Sequence, residues 1–142
     1  MNKILVLGGG SWGTTLGNLL AEKEHDVTLW ARNSKIFKKV KNYWTNNQYL
    51  PKYKISKNLK IVSDLKDAFL DVDLVIVAIP SKGFRSISSK VSKYLDNQKI
   101  LIASKGIENE SFMTMSEVFV DETNHSKKNI MILSGPNIAD EI

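Results

Sequence analysis

The chain has 142 residues, a length that suits one domain able to bury about two-thirds of its unfolded surface. Hydrophobic residues make up 42% and charged residues 25%, which is ordinary for a globular domain and argues against disorder. The lack of cysteine excludes disulfides and thiolate catalysis, and two histidines are too few for a zinc site, so no metal is expected. The longest apolar run, residues 74–79, is far shorter than the roughly 20 residues of a membrane span, which makes a cytoplasmic protein the expectation.

The net charge of +5 is unevenly distributed. Nine basic residues and no acidic one lie between Arg32 and Lys60, whereas the rest of the chain has eleven basic and fifteen acidic residues. Two interpretations stay open: the segment attracts an anionic ligand through its local potential, or it only reflects a lysine-rich composition. Nucleic-acid binding is not expected, since no recognition motif accompanies the charge.

Short apolar runs alternate with helical stretches from one end of the chain to the other. The runs predict strands at 4–7, 27–30, 59–62, 74–79, 100–103 and 130–133. Helices are predicted at 11–23, 34–43, 64–70, 82–95 and 111–122, with Asp64 and Ser111 as N-caps. Continuous apolarity is typical of parallel strands covered on both faces. The pattern predicts an α/β fold, a Rossmann-like doubly wound, mainly parallel sheet with helices on both faces.

Two stretches interrupt this alternation. Residues 43–56 are polar, contain Pro51 and four aromatics, and predict a long loop, either functional or fastened to the sheet edge by its rings. Residues 133–142 predict a turn at Gly135-Pro136 and the start of a helix with Asp140 and Glu141 in its first turn. Since the chain ends inside that helix, we expect these residues to be the front part of a longer protein.

A glycine-rich turn follows the first strand, with Gly8, Gly10 and Gly13 in GxGxxG spacing. The first glycine permits a tight turn, the second lets backbone approach a pyrophosphate, and the third lets the next helix pack closely on its strand. The helix N-terminus offers N–H groups and a positive dipole end to the anion. The turn predicts dinucleotide binding, with a merely glycine-rich turn as the alternative.

The residues at the end of the second strand indicate which dinucleotide the domain prefers. Domains that prefer NAD place a carboxylate about 20 residues beyond the glycines, and an arginine there suits the 2′-phosphate of NADP. Here Arg32 occupies that region and no acid does. NADP(H) is therefore the expected cofactor, with NAD(H) as the alternative and a surface role for Arg32 also open.

Two later strand ends carry further candidates, because ligands of open α/β sheets bind at the carboxyl ends of the strands. Lys105 follows the fifth strand, where its ammonium would pair with a substrate anion or polarise a carbonyl, unless it is one more surface lysine. After the last strand, the N–H groups of residues 137–139 would face a phosphate or the nicotinamide carboxamide, unless residues 134–137 form a plain turn.

Taken together, seven ordered blocks resemble the bacterial NAD(P)-dependent glycerol-3-phosphate dehydrogenase family. They are Gly8-x-Gly-Ser-Trp-Gly-Thr, Trp30-Ala-Arg32-Asn, Tyr49-Leu-Pro51, Pro80-Ser81, Ser104-Lys-Gly-Ile-Glu108, Met115-Ser-Glu-Val118 and Ser134-Gly-Pro136. The resemblance implies reversible reduction of dihydroxyacetone phosphate to sn-glycerol 3-phosphate by NADPH or NADH, which supplies phospholipid synthesis.

The same resemblance assigns roles to individual positions. It implies that the cofactor is contacted by Ser11, Trp12, Arg32, Asn33, Lys105 and Ala139. It implies that the substrate is contacted by Lys105, Gly135 and Asn137, and that Lys105 is also catalytic. The sequence departs from the family at Gly9, where alanine is more frequent, a change expected to be benign. It departs again at Asn137 and Ile138, where the family has Ser or Thr followed by Phe.

The family also has a helical second domain that holds a lysine acting as the principal general acid/base. Residues 1–142 are therefore expected to be the NAD(P)-binding domain of a longer enzyme, homodimeric when complete, and to turn over little or nothing alone. Two other classes stay open: a different two-domain NAD(P)-dependent oxidoreductase and a non-catalytic dinucleotide-sensing module.

Overall fold

A computed structural model describes residues 2–136, 138 and 139 of the chain. The predicted substrate residue Asn137 and the predicted helix start at Asp140 and Glu141 lie outside the described residues. The strands, in chain order, are β1 (Lys3–Leu7), β2 (Asp26–Trp30), β3 (Phe37–Val40), β4 (Tyr43–Asn46), β5 (Leu50–Ile55), β6 (Lys60–Val62), β7 (Leu74–Val77), β8 (Lys99–Ile102) and β9 (Ile130–Ile132). The α-helices are α1 (Ser11–Glu22), α2 (Leu65–Ala68), α3 (Ser81–Val91) and α4 (Met115–Thr123).

The main sheet of the described residues has six parallel strands in the order β6-β2-β1-β7-β8-β9. Its strands lie where the apolar runs predict them, within one or two residues at each end. The order is that of the doubly wound nucleotide-binding fold, with the reversal between β1 and β7. The predicted α/β fold is confirmed.

Both faces of this sheet are covered over its central strands, although Met131 and Ile132 on the edge strand β9 are exposed. Successive side chains of a strand point to opposite sides, so each central strand contributes to two cores. Leu5 and Leu7 belong to a core packed with residues of α2, α3 and α4, such as Phe84 and Phe119. Ile4 and Val6 belong to a second core, which α1 shares with the small sheet formed by β3, β4 and β5. None of the helices in the described part is long and apolar enough to cross a lipid bilayer.

The predictions for residues 34–56 are wrong. A 3₁₀ turn at Ser34–Ile36 replaces the helix predicted at 34–43, and the predicted loop at 43–56 forms two strands of the small antiparallel sheet β3-β4-β5. Ile36, Phe37 and Val40 have the spacing of a helix face, but so short a pattern does not separate helix from strand. Lys41, with φ of +54°, adopts the left-handed region that an α-helix excludes, and it begins the hairpin between β3 and β4.

The predicted helices elsewhere are present, some of them shorter than expected. Asp64 caps α2 as predicted, its side chain accepting from the N–H groups of Lys66 and Asp67. The predicted helix at 111–122 begins only at Met115, because Phe112 has φ of +58°. The true N-cap is Thr114, which forms a capping box with Glu117, so the prediction of Ser111 is wrong.

Candidate functional site

The glycine-rich turn lies at the carboxyl end of β1, beside the point at which the strand order reverses. The turn is joined to both neighbouring strands: the Gly8 N–H donates to the Trp30 carbonyl at 3.0 Å, and the Ala78 N–H donates to the Leu7 carbonyl at 2.8 Å. This position is where open α/β sheets bind their ligands. The sheet thus holds the turn rigidly at the edge where a ligand arrives.

The three motif glycines have different surroundings. Gly8 has φ of +124°, and a Cβ there would lie 2.2 Å from the Ala78 carbonyl oxygen. A Cβ on Gly13 would lie 2.0 Å from the Gly8 carbonyl oxygen, so the helix can pack on the turn only without a side chain. A Cβ on Gly10 would meet no atom within 4 Å. Two glycines are therefore required by the protein's own packing, whereas Gly10 faces open space.

Gly9 is also sterically confined. At this position, the family that the sequence resembles more often has alanine. A Cβ there would lie 2.6 Å from the Cβ of Ala31 and 3.4 Å from the ring of Phe37. An alanine would therefore need the end of β2 to shift. The presence of glycine instead of alanine at position 9 therefore depends on the close approach of Ala31.

The first turn of α1 faces the same open space. Gly10 is the N-cap, and no side chain caps this turn, whereas the capping box of Thr114 and Glu117 satisfies the start of α4. Ser11 and Trp12 are the first residues of the helix and are half-buried. The indole N–H of Trp12 is buried and lacks a hydrogen-bond partner among the described residues. Uncapped N–H groups at a helix N-terminus favour an anion.

Asn46 on β4 is joined to this turn, although no motif in the sequence points to it. Its side chain is fully buried and its Nδ2 donates to the Gly9 carbonyl and to Thr14 Oγ1, both at 3.0 Å. Its Oδ1 accepts from the Tyr49 N–H at 3.2 Å. A polar residue in a segment predicted as a loop gives no sign of such contacts, because they span 32 and 37 residues of chain.

Arg32 and Asn33 follow β2, directly beside β1 in the sheet. Both are exposed and lie in a turn. The Asn33 side-chain oxygen accepts from the Lys35 N–H and caps the 3₁₀ turn at Ser34–Ile36. Sheet order thus brings Arg32 to the same edge as the glycine-rich turn, while Asn33 has a local structural role.

Lys105 follows β8, two strands away from β1, and is exposed. Its neighbour Gly106 has φ of +113° and packs against Ser81 at the start of α3, where a Cβ would lie 3.3 Å from the Ser81 Cβ. Ser104 fixes the strand end that precedes it, since its hydroxyl donates to the Val77 carbonyl and accepts from the Ile79 N–H. The ends of β7 and β8 are thereby held together at the base of Lys105.

A cluster of charges, which we call the Arg85 cluster, holds the loop beyond Lys105. Arg85 on α3 binds both carboxylate oxygens of Glu108 at 2.8 Å and also pairs with Asp121 and Glu122 at 2.6 Å. Hydrogen bonds from Arg85 and from the Ser111 hydroxyl lower the pKa of Glu108 to about 2, and the carboxylates raise the pKa of Arg85. The cluster borders an open cleft of about 890 Å³ between α3 and this loop.

The remaining predicted residues come from the end of the chain. Gly135, with φ of +143°, follows β9 at the sheet edge and is exposed. Asn137 lies outside the described residues. Ala139 lines a cavity of about 240 Å³ beside α1, together with Thr14, Thr15 and Tyr53. The structure therefore brings Ala139 close to the helix that begins at the glycine-rich turn.

The strand order, the position of the turn and its glycine packing define a Rossmann-type dinucleotide-binding domain. Residues 3–142 match the model of the family described as NAD-dependent glycerol-3-phosphate dehydrogenase N-terminus, and the chain belongs to this family. The resemblance inferred from the seven sequence blocks is confirmed.

Individual relatives agree with this assignment. The chain is 40% identical over 141 residues to glycerol-3-phosphate dehydrogenase (NAD(P)+) of Carboxydothermus hydrogenoformans and covers 42% of that protein. It is likewise 40% identical to the Teredinibacter turnerae enzyme and covers 41% of it. The crystal structure of glycerol-3-phosphate dehydrogenase from Coxiella burnetii superimposes with a TM-score of 0.85 at 30% identity, with 99% of this chain and 42% of that chain covered. The chain thus spans less than half the length of these relatives.

Proposed function

We propose that this chain is the cofactor-binding portion of an oxidoreductase that interconverts dihydroxyacetone phosphate and sn-glycerol 3-phosphate with NAD(P)H. The observation that carries the proposal is the glycine-rich turn, which is packed tightly at Gly8 and Gly13 and open at Gly10. The protein has room for a side chain at Gly10, so its own packing does not explain the glycine. Close approach of the backbone to a pyrophosphate does explain it. Family membership supports the substrate pair.

The residues around the turn fit a dinucleotide. The uncapped first turn of α1, from Ser11 onward, presents N–H groups and the positive helix end to the pyrophosphate. The buried indole N–H of Trp12 is a donor for which a bound ligand would provide an acceptor. Ala139 near α1 is a further proposed contact, and so is Asn33 after β2, in addition to its capping of the 3₁₀ turn. A bound nicotinamide dinucleotide supplies the hydride of the reaction.

Arg32 selects NADP(H) over NAD(H) in this proposal. Its exposed guanidinium follows β2 at the position where NAD-preferring domains carry a carboxylate. A planar fork of N–H donors binds a 2′-phosphate by two hydrogen bonds at once. NAD(H), which lacks this phosphate, would gain little from Arg32.

Lys105 is the proposed catalytic residue on this side of the site. Its ammonium follows β8 at the ligand-binding edge of the sheet and is positioned by Ser104 and Gly106. We assign it contact with both cofactor and substrate, where a cation stabilises the negative charge that develops on a carbonyl oxygen during reduction. Gly135 and Asn137 are the proposed contacts for the substrate phosphate.

Isothermal titration calorimetry of the chain with NADPH and NADH tests the cofactor assignment. We expect NADPH to bind more tightly, and Arg32→Ala to weaken NADPH binding about tenfold while leaving NADH binding nearly unchanged. Lys35→Ala removes an exposed cation from the same segment and is the matched control, expected to bind both cofactors as the unaltered chain does. Tighter binding of NADH that Arg32→Ala leaves unchanged contradicts the assignment.

A further inference from the structure

We propose that Asn46 is a positioning residue of the cofactor site, which acts through the Gly9 peptide and Thr14 to aim the glycine-rich turn at the pyrophosphate. The inference rests on the proposed function, because it needs a dinucleotide at that turn. It adds a role for the small β3-β4-β5 sheet, to which neither the GxGxxG pattern nor the strand order assigns one.

The first observation behind the proposal is the orientation of the peptide between Gly9 and Gly10. The Gly9 carbonyl points at Asn46, since its oxygen accepts a hydrogen bond from Nδ2 at 3.0 Å. In a trans peptide the carbonyl and the following N–H point in opposite directions. The Gly10 N–H is therefore turned away from Asn46. A Cβ of Gly10 would meet no atom within 4 Å, so the surroundings of Gly10 leave room for a ligand.

The second hydrogen bond fixes the other end of the turn. Asn46 Nδ2 also donates to Thr14 Oγ1 at 3.0 Å, and the Thr14 N–H donates to the Gly10 carbonyl in the first turn of α1. One side-chain amide thus bridges Gly9 and Thr14, which flank the residues whose N–H groups face the ligand. The spacing between the turn and the helix start depends on this bridge.

Burial makes the bridge specific to an amide at this position. Asn46 and Thr14 are both fully buried, so water does not compete for these groups. Asn46 Oδ1 accepts from the Tyr49 N–H, which holds the amide in one orientation and presents both Nδ2 hydrogens to the turn. An unsatisfied buried donor or acceptor is costly, so loss of either partner shifts the turn rather than leaving it in place.

Two pairs of variants test the proposal in the full 142-residue chain. Asn46→Asp keeps the size of the side chain and the acceptor for Tyr49 but removes the two donors. Its matched control is Asn47→Asp, the same exchange at an exposed neighbour whose Oδ1 accepts from Thr45. Thr14→Val removes the acceptor without changing charge, and Thr14→Ser restores it.

The readout compares ADP, which contains a pyrophosphate, with adenosine, which does not. We expect Asn46→Asp and Thr14→Val to weaken binding of ADP and NADPH about tenfold or more and that of adenosine by less than twofold. Thr14→Ser and Asn47→Asp are expected to bind like the unaltered chain. Calorimetry measures ADP and NADPH, ligand-observed NMR measures adenosine, and circular dichroism confirms that each variant is folded. If Asn46→Asp does not fold, the uncharged Thr14 pair decides.

Each outcome supports or overturns the proposal. Selective loss of ADP and NADPH binding, restored in Thr14→Ser, supports it. Equal loss of ADP and adenosine binding shows general damage to the site and overturns it. If the unaltered chain binds NADPH and the folded variants bind it equally well, only the role of Asn46 fails. If the unaltered chain binds neither NADPH, NADH nor ADP, the proposed function fails as well.

Discussion

At the residue scale, the glycines of the turn are not equivalent, although the GxGxxG pattern does not distinguish them. Gly13 is required by the protein's own packing, whereas Gly10 borders open space. Under the proposed function, a single pattern therefore combines a requirement of the fold at Gly13 with a requirement of the ligand at Gly10. The two are separable by experiment.

Replacing each glycine by alanine is expected to separate stability from binding. Gly13→Ala places its Cβ 2.0 Å from a backbone oxygen and is expected to cost about 3 kcal/mol of unfolding free energy. Gly10→Ala, at an N-cap with extended backbone, is expected to cost at most about 1 kcal/mol and to abolish pyrophosphate binding. Urea unfolding and NADPH calorimetry on both variants check this. A strongly destabilised Gly10→Ala, or one that binds NADPH normally, contradicts the assignment.

At the element scale, long-range pairing decides what local patterns leave open. Residues 37–40 have the apolar spacing of a helix face, yet they form β3 because β4 and β5 provide an antiparallel partner surface. The energetic gain comes from burying Phe37 and Ile55 against the same core as α1. Such a gain depends on contacts between distant residues, so no window of the sequence displays it.

The Arg85 cluster joins α3, α4 and the loop after Lys105, and it predicts a pH dependence of stability. The pKa of Glu108 is lowered to about 2 in the folded chain from an ordinary 4.5. A lowered pKa stabilises the fold above the unfolded value, so this contribution is present above pH 4.5 and is lost as the pH falls toward 2. Glu117, whose pKa is lowered by hydrogen bonds from Thr114, adds in the same direction.

We expect Arg85→Met to be less stable than the unaltered chain at pH 7, and this difference to shrink as the pH falls below the ordinary pKa of Glu108. Lys90→Met removes an exposed cation from the same helix and is the control, for which little difference at any pH is expected. Urea unfolding at a series of pH values measures this. If the stability of Arg85→Met has the same pH dependence as that of the unaltered chain, the ion pairs do not lower the pKa of Glu108.

At the scale of the whole molecule, the proposed site lies along one edge of the sheet, where several strands end. The turn after β1, Arg32 after β2, Lys105 after β8 and Gly135 after β9 share one edge of the sheet, although the first and the last lie more than a hundred positions apart in the chain. Hydride transfer also needs a proton source held against the substrate, and the resemblance places the principal one in a helical domain.

We therefore expect the 142 residues alone to bind dinucleotide but to reduce dihydroxyacetone phosphate slowly or not at all. The measurement is the loss of NADPH absorbance with the substrate at saturating concentration, with the Carboxydothermus enzyme as the positive control. Robust turnover by the 142-residue chain would show that its own residues complete the chemistry.

The main sheet, the position of the glycine-rich turn and the family are predictable from the sequence, because these depend on local apolar runs and on glycine spacing within a few residues. The second sheet formed by residues 37–55, the hydrogen bonds of Asn46 to the turn and the open space at Gly10 become visible in the folded structure alone. Those features depend on burial and on hydrogen bonds between residues more than thirty positions apart, which arise only when the chain is folded.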